Sequence, residues 1–229
     1  MSIEEAKKNA AFQAVDENLR NNKIIGIGSG STVVYAVKRI ADWNKKDLIC
    51  IPSSFQAKQL IIANGLNLGC LDQYPEVDVT FDGADEIDGD LNLIKGGGGC
   101  HTQEKILAYN SKTLVIVVDF NKDSKVLGEK WKKGIPIEIL PEAYIPIVKK
   151  LTKMKGKPVL RMGVNKAGPV ITDNGNFIID VDFGLVKSPL NLELDLVRIP
   201  GIVETGLFID IVDACYIGLE DGSVKKVLK

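Results

Sequence analysis

Histidine is the residue type that this 229-residue sequence most nearly lacks, since His101 is the only one. A single histidine excludes a zinc site with two histidine ligands, and a Ser-His-Asp triad would have to use His101. The four cysteines (Cys50, Cys70, Cys100 and Cys215) include no Cys-x-x-Cys pair, so we expect neither a metal cage nor a disulfide framework. Proton chemistry must therefore depend mainly on carboxylates and lysines.

The sequence also lacks an excess of either charge and any long apolar run. Its 29 basic and 30 acidic residues give a formal net charge of −1, so the charge favours neither nucleic acid nor an anionic membrane surface. Apolar runs such as residues 114–118 are far too short to cross a bilayer, and the first residues show no signal-peptide pattern. We expect a cytoplasmic enzyme with no nucleic-acid or membrane partner.

Strand and helix patterns alternate over the first half of the sequence. Ser2 and Glu5 predict a capping box at the start of a helix that runs through Leu19. The predicted strands are short and apolar: 24–28, 48–51, 77–81 and 114–118. The predicted helices between them are 32–43, a segment from Ser53 or Ser54 to Gly65, and 102–110. This alternation predicts an α/β fold with a parallel sheet, whose functional loops follow the carboxyl ends of the strands.

The composition changes after about Gly128. The predicted strands are now joined by turn residues: 135–140, 159–163, 170–172 and 177–181. One helix is predicted over 141–150, and strand character returns from Gly206 to the end. The pattern predicts an antiparallel α+β lobe.

Residues 26–32, Gly-Ile-Gly-Ser-Gly-Ser-Thr, lie between a predicted strand and a helix. The backbone N–H groups at the helix start and the hydroxyls of Ser29, Ser31 and Thr32 suit a phosphate. The segment is not a dinucleotide fingerprint, because Ser31 stands in place of the last glycine, and it is not a Walker A loop, because no lysine follows. Phosphate binding is the favoured interpretation, and a purely structural turn is the alternative.

An acidic segment, Phe-Asp-Gly-Ala-Asp-Glu-Ile-Asp, occupies residues 81–88 after the third predicted strand. Six acidic groups fall between Asp78 and Asp90, but their spacing does not fit a calcium-binding loop. Carboxylates at the end of a strand can hold sugar hydroxyls or exchange protons with them. A solvated turn is the alternative interpretation of this segment.

Four consecutive glycines, 96–99, follow Lys95. Such a run costs conformational entropy on folding, and close approach of the backbone to a ligand would explain it. With Thr102 as the N-cap, Glu104 falls in the first turn of the next helix, where the helix dipole favours the carboxylate form that a general base needs. Lys95 is a cation that can face a developing oxyanion. Taken alone, Glu104 would be better explained as a routine first-turn acid.

Together and in this order, the three motifs resemble type A ribose-5-phosphate isomerases, metal-independent enzymes of the pentose phosphate pathway. The resemblance covers essentially the whole chain and extends to further segments: Lys122, 135–139, 171–176, 199–203 and 205–208. The Gly-Gly-Gly-Gly-Cys segment and residues 165–169 resemble the eukaryotic branch of the family.

The resemblance implies a Rossmann-like parallel-sheet main domain, which carries catalysis and comprises residues 1–128 and 206–229. It implies that the smaller antiparallel α+β lobe, residues 129–205, is inserted before the C-terminal segment. It further implies a homodimer or homotetramer that needs no cofactor and no metal.

The implied reaction interconverts D-ribose 5-phosphate and D-ribulose 5-phosphate. Glu104 is implied as the base, with Asp82, Asp85 and Lys95 as further catalytic residues. The implied substrate contacts are Ser29, Gly30, Ser31, Thr32, Asp82, Gly83, Ala84, Asp85, Lys95, Gly96, Gly97, Gly98, Lys122 and, near the phosphate, Lys8 or its neighbour Lys7.

Three other functions are alternatives to this one. A sugar-phosphate sensor of a transcription regulator needs a DNA-binding module, and only about 23 residues precede the first predicted strand. An acyl-group transferase would use Glu104 as a nucleophile on a coenzyme A thioester, for which the chain is short. A hexosamine-phosphate deaminase would have to open the sugar ring with His101.

Overall fold

The computed structural model describes residues 2–229, which form two compact units. The first unit contains the chain up to Ala84, Gln103–Asp123 and Asp210–Lys229, and the second contains Asp85–Thr102 and Ser124–Ile209. The second unit contains residues 85–102, 124–128 and 206–209, which the predicted limits gave to the main domain. The predicted domain limits stay a prediction. The assignment of catalysis to one domain stays a prediction.

The helices are α1 (Ile3–Asn18), α2 (Val33–Asp42), α3 (Phe55–Ala63), α4 (His101–Tyr109), α5 (Tyr144–Lys153) and α6 (Pro189–Val197), with 3-10 helices at Phe120–Lys122 and Pro141–Ala143. The strands are β1 (Ile24–Ile27), β2 (Ile49–Pro52), β3 (Asn67–Leu68), β4 (Val79–Asp82), β5 (Glu86–Ile87), β6 (Leu93–Ile94), β7 (Leu114–Asp119), β8 (Ile135–Ile139), β9 (Lys157–Leu160), β10 (Phe177–Asp182), β11 (Ile202–Thr205), β12 (Leu207–Phe208), β13 (Ala214–Gly218) and β14 (Val224–Leu228). Across residues 2–229, none of the helices has the length and apolarity that a membrane span requires.

The first unit is built on a seven-stranded sheet in the order β14-β13-β7-β4-β1-β2-β3. Neighbouring strands pair in parallel, except that β14 runs antiparallel to β13. All residues of β4 and β7 are buried, as expected for central strands that are covered on both faces. The predicted α/β fold with a parallel sheet is confirmed.

Capping residues close in sequence determine where helices α1 and α3 begin. The Ser2 hydroxyl accepts the N–H of Glu5 and the Glu5 carboxylate accepts the N–H of Ser2, so the predicted capping box is present at the start of α1. Ser54 rather than Ser53 caps α3 and accepts the N–H of Ala57.

The second unit holds a four-stranded antiparallel sheet, β11-β8-β10-β9, and a three-stranded antiparallel sheet, β12-β6-β5. Helices α5 and α6 bury Ile147, Leu151 and Leu196 in one apolar cluster with Ile137 and Ile179 of the larger sheet. The predicted antiparallel α+β lobe is confirmed.

Two details of the second unit depart from expectation. The predicted strand over 170–172 is wrong, because the segment closes into a turn in which the Thr172 N–H donates to the Asn176 carbonyl and the Gly175 N–H donates to the Thr172 carbonyl. Helix α6 lies outside the predicted elements, although Ser188 followed by Pro189 is a common helix start.

Candidate active site

The carboxyl ends of β1, β2 and β4 meet at one edge of the sheet in the first unit. Ile27 of β1 pairs with Pro52 of β2 on one side and with Phe81 of β4 on the other. The loops that contain Ser29 and Ser53 and the β4 terminus at Asp82 therefore lie side by side. Open parallel sheets bind their ligands at this edge.

Hydroxyl groups fix the loop after β1. The Ser29 hydroxyl lies 2.6 Å from the Ser54 hydroxyl oxygen and 3.1 Å from that of Ser53. The Gly30 N–H donates to the Gln56 side-chain oxygen at 2.9 Å, and Gly30 has a φ of 106°, which favours glycine. Ser53, Ser54 and Gln56 were not among the predicted site residues, although the position of the two serines at the end of a strand could have indicated them.

Lys7, not Lys8, reaches this loop. The Lys7 ammonium lies 3.1 Å from the Ser31 hydroxyl oxygen and 2.8 Å from Glu4. Lys8 is exposed, and its ammonium lies 5.3 Å from the centroid of the Phe12 ring. Lys7 of helix α1 therefore places a positive charge beside the serine-rich loop.

Asp82 is the last residue of β4 and is 1% exposed. One oxygen of its carboxylate accepts the N–H of Gly83 at 2.7 Å and the N–H of Ser29 at 3.2 Å. A Cβ at Gly28 would overlap this carboxylate. Gly28 is thus required by the neighbouring carboxylate of Asp82, a reason for glycine that the phosphate-loop interpretation did not include.

Helix α4 directs Glu104 toward the same edge. The Asn110 carbonyl, which follows the helix, accepts the N–H of Val77, just before β4 begins, so α4 ends at the amino edge of the sheet. Leu107 lies beside Gly26 of β1, where an added Cβ would be 3.2 Å from the leucine. Glu104 precedes Leu107 by three residues, about 4.5 Å along the helix toward the carboxyl edge. Its side chain is buried, at 4% exposure.

Thr102 is not the N-cap of α4, so that prediction is wrong. The helix begins at His101, and the Thr102 hydroxyl donates to the Glu138 carboxylate at 2.5 Å instead of capping the helix. Glu104 still lies in the first turn, as predicted. The Glu104 side chain therefore starts from the end of α4 that carries the positive pole of the helix dipole.

Lys122 also belongs to the first unit. It ends the 3-10 helix that follows β7, and the carboxylate of Asp119, the last residue of β7, accepts the N–H of Asn121 at 3.0 Å. Because β7 pairs in parallel with β4, Lys122 comes just after the carboxyl end of β7, at the same sheet edge as Asp82.

In the second unit, the glycine run is held from two directions. The Asp85 carboxylate accepts the N–H of Gly97 at 2.6 Å. The Arg161 guanidinium forms an ion pair with Asp180 and donates to the carbonyls of Gly96 at 2.8 Å and Gly97 at 3.2 Å. Side chains of the second unit therefore hold the backbone of the run at Gly96 and Gly97.

The structural reason for glycine differs from one position of the run to the next. Gly96 has a φ of 99°, and a Cβ there would lie 2.6 Å from a ring nitrogen of His101; a Cβ at Gly97 would lie 2.6 Å from Asp85. Within the described part of the chain, nothing lies within 4 Å of a Cβ placed at Gly98. Neighbouring groups thus require glycine at 96 and 97, whereas Gly98 presents its backbone to open space.

Lys95 precedes this run and is 3% exposed. Its backbone N–H donates to the Gly206 carbonyl at 2.8 Å, and its ammonium lies 5.5 Å from the centroid of the Phe208 ring. A cation at this distance from the face of an aromatic ring is attracted by the ring quadrupole.

The structure places the predicted site residues in two groups. The group in the first unit is Ser29, Gly30, Ser31, Thr32, Asp82, Gly83, Ala84, Glu104 and Lys122. The group in the second unit is Asp85, Lys95, Gly96, Gly97 and Gly98. Among residues 2–229, no group of three or more histidine, cysteine, aspartate or glutamate side chains could hold a metal ion.

Open parallel sheets bind their ligands at the carboxyl edge, and a helix start that follows a serine-rich loop at this edge suits an anion such as a phosphate group. The family model for ribose 5-phosphate isomerase A (phosphoriboisomerase A) matches residues 49–222. The chain belongs to this family of aldose–ketose isomerases, and the resemblance seen in the motifs is confirmed.

Relatives and solved structures agree with this assignment. The chain is 56% identical to a ribose-5-phosphate isomerase of Dictyostelium discoideum over 98% of each chain. It is 56% identical to that of Sus scrofa over 96% of this chain and 74% of the relative. A solved D-ribose-5-phosphate isomerase in complex with phospho-erythronic acid matches with a TM-score of 0.95 and 43% identity over 100% of both chains.

Proposed function

We propose that this chain interconverts D-ribose 5-phosphate and D-ribulose 5-phosphate in the non-oxidative pentose phosphate pathway, with Glu104 as the base. Membership of the isomerase family supports the reaction. The observation that carries the role of Glu104 is its position, because it is a buried residue in the first turn of α4, the end of the helix nearer the sheet edge that holds the serine-rich loop.

One base is sufficient for this reaction. Glu104 removes the proton from C2 of the open-chain aldose and returns it to C1 through a cis-enediolate. Both transfers occur on the same face of the substrate, so a single carboxylate serves both. Acid–base catalysis of this kind contributes roughly 10²–10⁴-fold to the rate, and the remainder comes from orientation and charge stabilisation.

The loop at residues 29–32 holds the phosphate. It offers the hydroxyls of Ser29, Ser31 and Thr32, and it leads into α2, whose first N–H groups favour an anion. Lys7 adds a positive charge, because its ammonium lies 3.1 Å from the Ser31 hydroxyl oxygen. Lys122 is a further contact to the ligand.

The other catalytic residues handle charge and the remaining protons. Lys95 and the N–H groups of the glycine run, 96–98, other than that of Gly97, which donates to Asp85, stabilise the negative enediolate oxygen. Asp82 moves a proton between the two hydroxyl oxygens, and Asp85 helps to open the furanose ring. The proposal includes no metal and no cofactor.

The test measures ribulose 5-phosphate formation from ribose 5-phosphate in excess EDTA. Native protein is expected to be fully active, Glu104→Gln to lose at least about 10²-fold in kcat while still folding, and the exposed control Glu142→Gln to be unchanged. Loss of native activity in EDTA would contradict the metal-free mechanism, and near-native turnover of Glu104→Gln would contradict the role of the base.

The proposal also covers the assembly and location that the resemblance implies, a cytoplasmic homodimer or homotetramer with no nucleic-acid or membrane partner. Analytical ultracentrifugation is expected to give a mass two or four times 24.9 kDa. Fractionation of cells is expected to find the protein in the cytoplasm, and a monomer or a membrane-bound pool would contradict this part.

A further inference from the structure

Two segments of the family resemblance, residues 135–139 and 171–176, have no part in the site described above. In the structure they meet at one carboxylate. Glu138 is the fourth of the five residues of β8 and is fully buried, at 0% exposure. A buried carboxylate needs hydrogen-bond donors on its oxygens, because burial disfavours its charged form.

Four neutral side chains supply these donors, all within the second unit. Thr172 donates to one oxygen of Glu138 at 2.9 Å, Asn174 at 2.9 Å and Asn176 at 2.8 Å. Thr102 donates to the other oxygen at 2.5 Å. Burial raises the pKa of Glu138, but the four hydrogen bonds lower it by more, so the pKa lies below its usual value and the group stays ionised.

Of these donors, Thr102 belongs to the helix that carries the proposed base. It is the second residue of α4, and Glu104 lies in the same turn. The other three donors belong to the turn before β10, which is closed by its own backbone hydrogen bonds and by N–H groups of Asn174 and Asn176 that donate to the Thr172 hydroxyl. Glu138 thus connects a closed turn and a central strand to the first turn of α4.

We propose that Glu138 is a positioning residue for catalysis: it holds Thr102, and with it the first turn of α4, so that Glu104 is fixed for proton transfer. This inference depends on the proposed function of Glu104. A displacement of about 1 Å in a catalytic group can cost roughly 10²-fold in rate, so a fixed first turn matters to kcat even though Glu138 does not contact the substrate.

A matched pair of variants tests the proposal. Thr102→Val and Thr172→Val each remove one hydroxyl from Glu138 at nearly constant volume, but only the first removes the link to α4. We expect Thr102→Val to lower kcat by roughly 10- to 100-fold with KM changed by less than about twofold. Thr172→Val is expected to lower the urea midpoint at least as much, because its hydroxyl also accepts two backbone N–H groups, and to keep kcat within about twofold of native.

Restoration of the hydroxyl separates positioning from general damage. Thr102→Ser retains the donor and is expected to recover kcat to within about threefold of native. If Thr102→Val does not fold, Thr102→Ala replaces it, because alanine is compatible with the helix and also lacks the donor; the same loss of kcat is expected.

Three results would overturn the proposal: unchanged kcat without the Thr102 hydroxyl, an equal loss of kcat in Thr172→Val, or no recovery in Thr102→Ser. Absence of isomerase activity in the native protein would instead contradict the proposed function itself. The two failures are therefore distinguishable.

Discussion

Replacing Gly98 with alanine tests whether the glycine run approaches a ligand. Gly98 is exposed and does not adopt a left-handed φ, and a Cβ there would find nothing within 4 Å in the described chain. Alanine should therefore fit without strain. It also restricts the unfolded chain more than glycine does, so the free energy of unfolding should stay unchanged or rise by about 0.4–1 kcal/mol.

Binding should change in the opposite direction. If the substrate lies against the Gly98 backbone, as we propose, a methyl group occupies part of its space, and overpacking of this kind costs roughly 1–3 kcal/mol. At about 1.4 kcal/mol per tenfold, KM for ribose 5-phosphate should rise roughly 5- to 150-fold. Calorimetric titration with phospho-erythronic acid, the ligand in the related structure, should show a similar rise in Kd.

Gly89→Ala is the matched control. Gly89 belongs to the same unit, is exposed, has no left-handed φ, and a Cβ there also meets nothing within 4 Å. This variant should leave KM and Kd unchanged, and its free energy of unfolding should stay unchanged or rise by about 0.4–1 kcal/mol, as for Gly98→Ala. Unchanged KM and Kd in Gly98→Ala would show that the substrate does not lie against the Gly98 backbone. The presence of glycine at this position would then not be explained by a ligand.

Two further predictions concern stability. Arg161→Lys keeps the charge but not the planar fork that joins Asp180 to the Gly96 carbonyl, so urea unfolding should show a loss of about 1–3 kcal/mol; a loss below about 0.3 kcal/mol would contradict this. Hydrogen bonds from Lys226, Gln13 and Tyr216 lower the pKa of Glu17 from its usual 4.5 to about 2. Because the folded pKa is the lower one, its stabilisation is present above about pH 4.5 and disappears as the pH falls toward 2. Glu17→Gln should thus be up to about 1 kcal/mol less stable than native at pH 7, an amount limited by solvent screening, and equal to it near pH 2; a constant difference across this range would refute the linkage.

Most of the first unit could be predicted because its determinants are local. The capping box of Ser2 and Glu5 and the cap at Ser54 involve residues three apart, and the short apolar strands alternate with helices in the pattern of a parallel sheet. The glycine-rich loop and Glu104 were predicted for the same reason, since each belongs to one short segment next to a helix start.

The remaining features depend on partners that are distant in sequence. The bond between Thr102 and Glu138 joins residues 36 positions apart, so a local rule assigned Thr102 to the N-cap instead. The apolar residues next to Thr172 in the sequence resemble a strand. In the structure, its backbone and hydroxyl form hydrogen bonds within a turn, and the hydroxyl also donates to Glu138. The sheet β12-β6-β5 consists of two-residue strands, which are too short for periodicity to detect.

The most direct test of the role of Glu104 measures proton abstraction itself, without requiring product to form. Exchange of the C2 proton of ribose 5-phosphate is followed by NMR in D₂O. Native protein should catalyse the exchange, and Glu104→Gln should slow it by at least about 10²-fold while binding phospho-erythronic acid with unchanged Kd. Near-native exchange in Glu104→Gln would show that another group removes the proton and would contradict the assignment of Glu104 as the base.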